Sequence, residues 1–460
     1  MRKTWATSGS DFHLDLDGGR GRTAIERALR AAVQSGRLHA GVRLPSSRTL
    51  AIDLGVARNS VVEAYGNLVA EGWLTAVTGS GTRVADRPIE PSPAPDPSAA
   101  PADGEPRYSL RAGQPDPSTF PRTAWLAAAK RAVQAAPADA FSYGDPRGRV
   151  ELRRALADYL SRARGVRADA ELIVVCSGFT QALSLLASVL VERCGTTMAI
   201  ESYGHRSYRD LVERHGLEVR DVRLDQHGAV VGDFGEADAA LLTPAHQFPL
   251  GMALAASRRT EGIAWARERG GLLIEDDYDG EFRYDRQAVG AMQALAPHHV
   301  AYAGSVSKTL APGVRLGWMV LPPHLLDAVV DAKSLTDRQT GVIDQLTLAD
   351  FIGSGAYDRH VRRSRLAYRR RRDRLVGLLR DRAPGMHLTG LAAGLHAVLE
   401  LPRDRDDEEI VANARRRGLA LDGIGGYGPR SIGPALVIGY GTPPAHAYTT
   451  ALARLIAALS

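Results

Sequence analysis

The chain has 460 residues, 44% hydrophobic and 24% charged, with a net charge of +6. That composition excludes a mainly disordered polypeptide, and no uninterrupted apolar run of about 18 residues is present to cross a membrane. The opening MRKTWATSGSDFHLDLDGG lacks the apolar stretch of a secretory leader, and Cys176 and Cys194 form neither a disulfide framework nor a metal-binding spacing, which points to a reducing cytoplasm.

At ~150 residues per domain the length allows about three domains. Residues 1–84 carry 11 Lys/Arg against 7 Asp/Glu, so most of the excess positive charge lies in the first fifth, which invites a polyanionic partner. In TAIERALRAAVQSG (23–36), Ile25, Leu29, Ala32 and Val33 share one helical face, and Gly36 stops the helix. Ser46, after Pro45, is an N-cap for a short helix to Leu54; Gly55 breaks it, and a second helix runs from Arg58 to Ala70. Two helices about a glycine turn are the helix-turn-helix pattern. Two strands, Leu74–Val77 and Thr82–Ala85, joined by Thr78-Gly79-Ser80-Gly81, form a wing.

The second helix of such a motif meets base edges with its first residues, here Arg58, Asn59 and Ser60; arginine pairs with guanine and asparagine with adenine. Arg48 neutralises phosphate, and a glycine-rich wing comes close to the DNA backbone. The run from Ser35 to Ala85, with LPSSRTLA, GVARNSV and GSGTRV in order, resembles the winged helix-turn-helix domain of GntR-type bacterial regulators. The resemblance implies double-stranded DNA as partner, with Arg48, Arg58, Asn59, Ser60, Gly79 and Ser80 at contact positions.

Residues 85–107 hold seven prolines and five alanines, with Ile89 their one large aliphatic residue. Such a segment buries no core; at ~3.1 Å per residue it reaches roughly 70 Å, a tether between an amino-terminal module (1–84) and a body (108–460).

In the body, LIVVC (172–176), TTMAIE (196–201), AALLT (239–243), GLLIEDD (271–277), HVAYAGS (299–305) and GWMVL (317–321) are short strands alternating with helical stretches. The pattern predicts an α/β domain with a mostly parallel sheet, whose ligands bind at the carboxyl ends of its strands. Five motifs lie there. Ser177-Gly178-Phe179-Thr180-Gln181 opens a helix and suits a phosphate. Glu275-Asp276-Asp277-Tyr278 offers acids for a cationic ring nitrogen and a tyrosine for a phenolic oxygen. Ser305-Val306-Ser307-Lys308 places a lysine among hydroxyls, a candidate Schiff-base former if its pKa is lowered. Arg315 suits a phosphate. Thr243-Pro244-Ala245-His246-Gln247-Phe248-Pro249-Leu250-Gly251 is a polar loop held by two prolines.

In chain order, with the polar loop second, the motifs resemble the aspartate-aminotransferase-like, fold-type-I pyridoxal 5'-phosphate (PLP) proteins, and the whole chain resembles the MocR subfamily of GntR-type regulators. The resemblance implies that Lys308 holds PLP, that Asp276 (or Asp277) meets the ring nitrogen, and that Tyr278 contacts the ring hydroxyl oxygen. It places Ser177, Gly178, Phe179, Thr180, Ser305, Ser307 and Arg315 around the phosphate. Tyr143, in YGDPRG, would reach it from the other subunit of a homodimer.

Two departures stand out. Where many relatives place an aromatic ring over the cofactor, this chain has Glu201-Ser202-Tyr203-Gly204-His205, so the ring comes from His205 or Tyr203. Where aminotransferases carry a substrate-carboxylate arginine, the strand Ala435–Tyr440 has Val437, with Arg430 in the loop before it. Losing that arginine removes charge-assisted hydrogen bonds of about 1.5–3 kcal/mol each and disfavours transamination. The reading is therefore a regulator sensing PLP and controlling vitamin B6 synthesis genes; a regulator sensing an amino compound, or an aminotransferase fused to a DNA-binding head, are the alternatives. DRHVRRSRLAYRRRRDR (358–374), with nine arginines, reads as a helix that is either a solvated face or a second DNA-contacting surface.

Overall fold

A computed structural model describes residues 14, 16, 19, 21–77, 81–86, 106–284 and 290–460. The chain divides into two compact units, Met1–Gly104 and Glu105–Ser460. The expected wing contacts Gly79 and Ser80, and most of the tether, lie outside the described residues.

The first unit contains α1 (Arg22–Gln34), α2 (Ser47–Leu54), α3 (Arg58–Ala70) and the antiparallel pair β1 (Leu74–Val77) and β2 (Gly81–Val84). The amphipathic spacing of α1 buries Ile25, Leu29, Ala32 and Val33 against Val61, Ala64 and Leu68 of α3. Ser46 caps α2, its side chain accepting from the Thr49 N–H at 3.2 Å, and Gly55 ends it in the left-handed conformation at φ 66°. The Tyr65 hydroxyl donates to the Pro45 carbonyl at 2.9 Å and ties α3 to the entry of α2. The second wing strand begins one residue earlier than expected, with Val77 opposite Gly81.

The second unit begins with β3 (Tyr108–Ser109), α4 (Arg122–Ala135) and α5 (Val150–Arg164), followed by β4 (Ile173–Cys176), α6 (Phe179–Glu192), β5 (Thr197–Glu201), α7 (Arg206–Arg214) and β6 (Glu218–Val222). A small hairpin, β7 (Leu224–Asp225) and β8 (Gly228–Ala229), leads to β9 (Ala239–Leu242), α8 (Ala256–Arg269), β10 (Leu272–Asp276), β11 (Val300–Ser305) and β12 (Gly317–Val320). The large sheet runs β4-β12-β11-β10-β9-β5-β6; β12 is antiparallel to both its neighbours and the other pairs are parallel.

Alternation along each strand builds two cores. Val174, Ile200, Leu241, Ile274 and Ala303 meet α6 on one face; Val175, Leu242, Leu273 and Tyr302 meet α5, α8 and the helices that follow on the other.

After α9 (Leu326–Thr336) and α10 (Val342–Gly353), the 27-residue α11 (Ala356–Arg382) leads into a smaller layer: β13 (His387–Thr389), β14 (Ala397–Glu400), α12 (Asp407–Arg416), β15 (Leu419–Ala420), β16 (Asp422–Gly423), β17 (Ala435–Ile438) and α13 (Ala445–Leu459). Its sheet runs β13-β14-β17-β16, and β15 pairs in parallel with β3. The arginine-rich stretch is helical but two-sided. Arg371 donates to Asp116 and to the Pro443 carbonyl, both at 2.7 Å, and Arg365 donates to the Glu281 carbonyl at 2.8 Å; Arg362, Arg363, Arg369, Arg370 and Arg374 stay exposed. Among the described residues no helix is long and apolar enough to cross a membrane.

Candidate functional site

The carboxyl ends of β4, β5, β9, β10 and β11 converge on a cavity of about 260 Å³. Ten of the twelve expected site residues line it: Gly178, Phe179, Thr180, His205, Asp276, Tyr278, Ser305, Ser307, Lys308 and Arg315. Ser177 does not; its N–H donates to Gln181 Oε1 at 2.7 Å at the entrance of α6. Tyr143 is not in its own chain's cavity either; it is 84% exposed, with Arg338 over its ring at 5.4 Å.

Gly178 sits at φ +117° and lets the chain turn sharply from β4 into α6. The first-turn N–H groups of α6, which a helix cannot pair internally, open onto the cavity with the positive end of the helix dipole. Across from Gly178 lies the Arg315 guanidinium, on a left-handed residue (φ 53°) after a short 3-10 turn. The Arg315 side chain makes no ion pair or hydrogen bond among the described residues, so the anion-binding end of the cavity holds an unspent cation.

The strand period separates Asp276 from Asp277. Asp276 has the parity of Ile274; Asp277 falls on the opposite face, where it accepts from Arg164 at 2.6 and 3.0 Å and from the Tyr302 hydroxyl at 2.7 Å. Asp277 is thus consumed internally, and Asp276 lines the cavity, buried and accepting no side-chain hydrogen bond among the described residues. Burial pushes its carboxyl well above the usual range against the opposing charge of Lys308. The Lys308 amine donates to the Gly113 carbonyl, and burial pulls its pKa down while Asp276 and Asp279 hold it up.

Tyr203 and His205 both line the cavity. The Tyr203 hydroxyl is engaged with the Pro429 carbonyl and with Ser431. His205 stacks on Phe248, centroids 4.2 Å apart and 17° between planes; burial, helped by Lys308, pushes it down to about 4, leaving a neutral ring.

Sequence reasoning missed several lining residues. Glu201, the last residue of β5, accepts from the Thr243 hydroxyl at 2.6 Å and from Gln247 at 3.3 Å, and burial still raises it to about 7. Gln247 also donates to the Tyr203 and Phe248 carbonyls at 2.9 and 2.7 Å, which explains the polar loop as a brace. Gly113 and Gln114 come from a loop with no periodic signal. Val437 is wholly buried in an apolar cluster with Tyr203, Leu250, Val398 and Ile424. Arg430 lies outside the cavity, paired with Glu408 and Asp407. Arg209 lines the cavity but is bound to Asp221 at 2.6 Å and to the Glu201 carbonyl at 2.9 Å.

In the first unit, Arg48, Arg58 and Asn59 are exposed, and their side chains make no hydrogen bond or ion pair among the described residues; Arg58 and Asn59 open α3.

Residues 22–84 match the gntR family of bacterial regulatory proteins, and residues 108–421 match aminotransferase class I and II. The pyridoxine biosynthesis transcriptional regulator PdxR of Corynebacterium glutamicum is 33% identical over 445 residues, 95% of this chain and 96% of that protein. The chain is a MocR-type member of the GntR family. The probable rhizopine catabolism regulatory protein MocR of Rhizobium meliloti is 32% identical, covering 85% of this chain and 84% of that one. An archaeal alanine:glyoxylate aminotransferase structure superposes with TM-score 0.69 at 25% identity, over 76% of this chain and 90% of that one. The chain is therefore a DNA-binding, PLP-binding transcriptional regulator with a fold-type-I second unit.

The cavity fits PLP. A cationic ring nitrogen would satisfy the unpartnered Asp276 carboxylate, and a phosphate would satisfy Arg315 and the α6 N–H groups. When bound, the cofactor supplies an electrophilic aldehyde for an amine and an electron-withdrawing ring.

Proposed function

We propose that this regulator reads PLP itself: the cofactor, held by Lys308, is the effector, and the winged helix grips operator DNA through Arg48, Arg58, Asn59 and Ser60. In this reading Asp276 holds the ring nitrogen and Tyr278 the phenolic oxygen. His205 covers the ring. Gly178, Phe179, Thr180, Ser305, Ser307 and Arg315 surround the phosphate, with Ser177 outside that shell. The observation that carries the reading is Val437. Among the described residues the cavity offers spare charge for PLP but no further unpaired cation for an amino-acid carboxylate, because Arg209 and Arg430 are spent elsewhere and the late strand is apolar. The name of the corynebacterial relative adds the target: genes of vitamin B6 synthesis, controlled in the cytoplasm.

The working unit is a homodimer. Supporting this, Leu126, Phe141, Tyr143, Leu335 and Ile343 are half to almost fully exposed, on or next to α4, α9 and α10. Large exposed apolar residues grouped on packed elements mark interaction faces. Tyr143 would cross to the partner's phosphate.

The test is binding of the DNA upstream of vitamin B6 synthesis genes and of the regulator's own gene, with and without PLP. The reading requires PLP to change affinity, since an effector acts only through differential binding to two states. Indifference to PLP, or keto acid formed from amino acids in turnover amounts, would overturn it.

A further inference from the structure

His246 is 3% exposed, and its Nε2 is buried with no hydrogen-bond partner among the described residues. Unsatisfied buried groups are rare enough in native proteins to require a reason. Its Nδ1 lies 2.8 Å from Asp279 Oδ2 and 3.1 Å from the Tyr278 hydroxyl. The surrounding chain is shaped to this pair. Gly394, at φ +69°, passes so close that a Cβ there would lie 2.4 Å from both Asp279 Oδ2 and His246 Cε1.

The proton count follows. A carboxylate only accepts, so the Asp279 contact keeps the ring proton on Nδ1. Nε2 is then the bare lone pair, in keeping with its lack of a donor. The Tyr278 oxygen meets an N–H, not an acceptor, and its own proton must point elsewhere. Tyr278 lines the cavity, so that proton is free to point there. Among the described residues, the ring of His396 also lies beside it, 5.2 Å away between centroids; its Nε2–H is spent on the Pro249 carbonyl at 3.0 Å.

We propose that His246, fixed by Asp279, is a positioning residue that shields the Tyr278 hydroxyl from the Asp279 carboxylate and aims its proton at the ligand's phenolic oxygen. The inference rests on the PLP reading of the cavity. Without the ring N–H, the Tyr278 hydroxyl turns its hydrogen bond toward the buried carboxylate and the phenolic oxygen loses its donor.

The test titrates the visible absorbance of the PLP-loaded full-length protein, which reads protonation of the lysine–cofactor linkage. A donor on the phenolic oxygen draws off negative charge that would stabilise the protonated linkage. His246→Phe should therefore raise the midpoint by about one pH unit, a tenfold change in proton affinity, toward the value of Tyr278→Phe. His246→Asn, whose amide N–H takes the place of Nδ1–H, should stay near wild type; His246→Ala replaces the phenylalanine variant if that one does not fold. An unchanged midpoint in His246→Phe beside a shifted Tyr278→Phe overturns the proposal, as does an equal shift in the phenylalanine and asparagine variants. A wild-type protein that takes up no PLP removes the reading of the cavity, and this inference with it.

Discussion

Replacing Arg164 by methionine tests the partition of the two adjacent aspartates. The Arg164 and Asp277 side chains are 5% and 2% exposed, joined by two short hydrogen bonds, and Arg164 also donates to the Gly280 carbonyl at 3.1 Å. Methionine fills much of the volume but strands the Asp277 carboxylate with the Tyr302 hydroxyl. Breaking one side of a buried pair costs about 3–5 kcal/mol. With an unfolding entropy of ~2.1 cal/mol/K per residue, a unit of roughly 350 residues then melts about 4–7 °C lower. Calorimetry of Arg164→Met should show this drop in the second unit's transition. The Arg164→Met/Asp277→Asn double variant should recover most of it, because the stranded charge is gone. A single variant melting within a degree of wild type, or a double variant no better than the single, would refute the assignment of Asp277 to the structure and Asp276 to the ligand.

Lys308→Ala should remain colourless after incubation with PLP and gel filtration; persistent absorbance would show another amine holding the cofactor. Arg58→Ala should weaken operator binding by about 1–3 kcal/mol and relax preference at one base pair, whereas Arg48→Ala should flatten the salt dependence by about 0.9 in log–log slope. Identical salt slopes for wild type and Arg48→Ala would remove the phosphate role. Glu201 titrates near 7 in the folded chain against 4.5 unfolded, so the folded state binds the extra proton between those values and stability falls as pH rises through them. Glu201→Gln should consequently raise the melting temperature at pH 8 and leave it unchanged below pH 4.5; a gain of equal size at both pH values would exclude titration as the cause.

The parts of the fold legible in the sequence were those with a strong local signal. The buried strands of the large sheet are near-continuous apolar runs, and each was found to within a residue or two. The edge strand Glu218–Val222 was missed because its polar alternation, EVRDV, leaves it without such a run. The winged helix was legible because caps and glycines punctuate it: Gly36, Ser46 and Gly55 each fall where the backbone turns. At the site, motif residues at strand ends could be read, but residues drawn in by tertiary contact, such as Gly113 and Arg209, carry no local mark. The choice between Asp276 and Asp277 was available in principle, since counting by two from Ile274 decides it. The two-sidedness of the arginine-rich helix was not, because Asp116 and the Pro443 carbonyl that hold Arg371 come from distant segments.

Val437 has a consequence for descent. An arginine at that position would have to enter the apolar knot of Tyr203, Leu250, Val398 and Ile424, beside Asp422 on the neighbouring strand, whose carboxylate already serves the Tyr427 hydroxyl and Arg111. Several neighbours must change with it before such a side chain is tolerated, so no single codon change at this position installs a carboxylate clamp. Under the proposed function, the packing of one small cluster holds this fold to sensing.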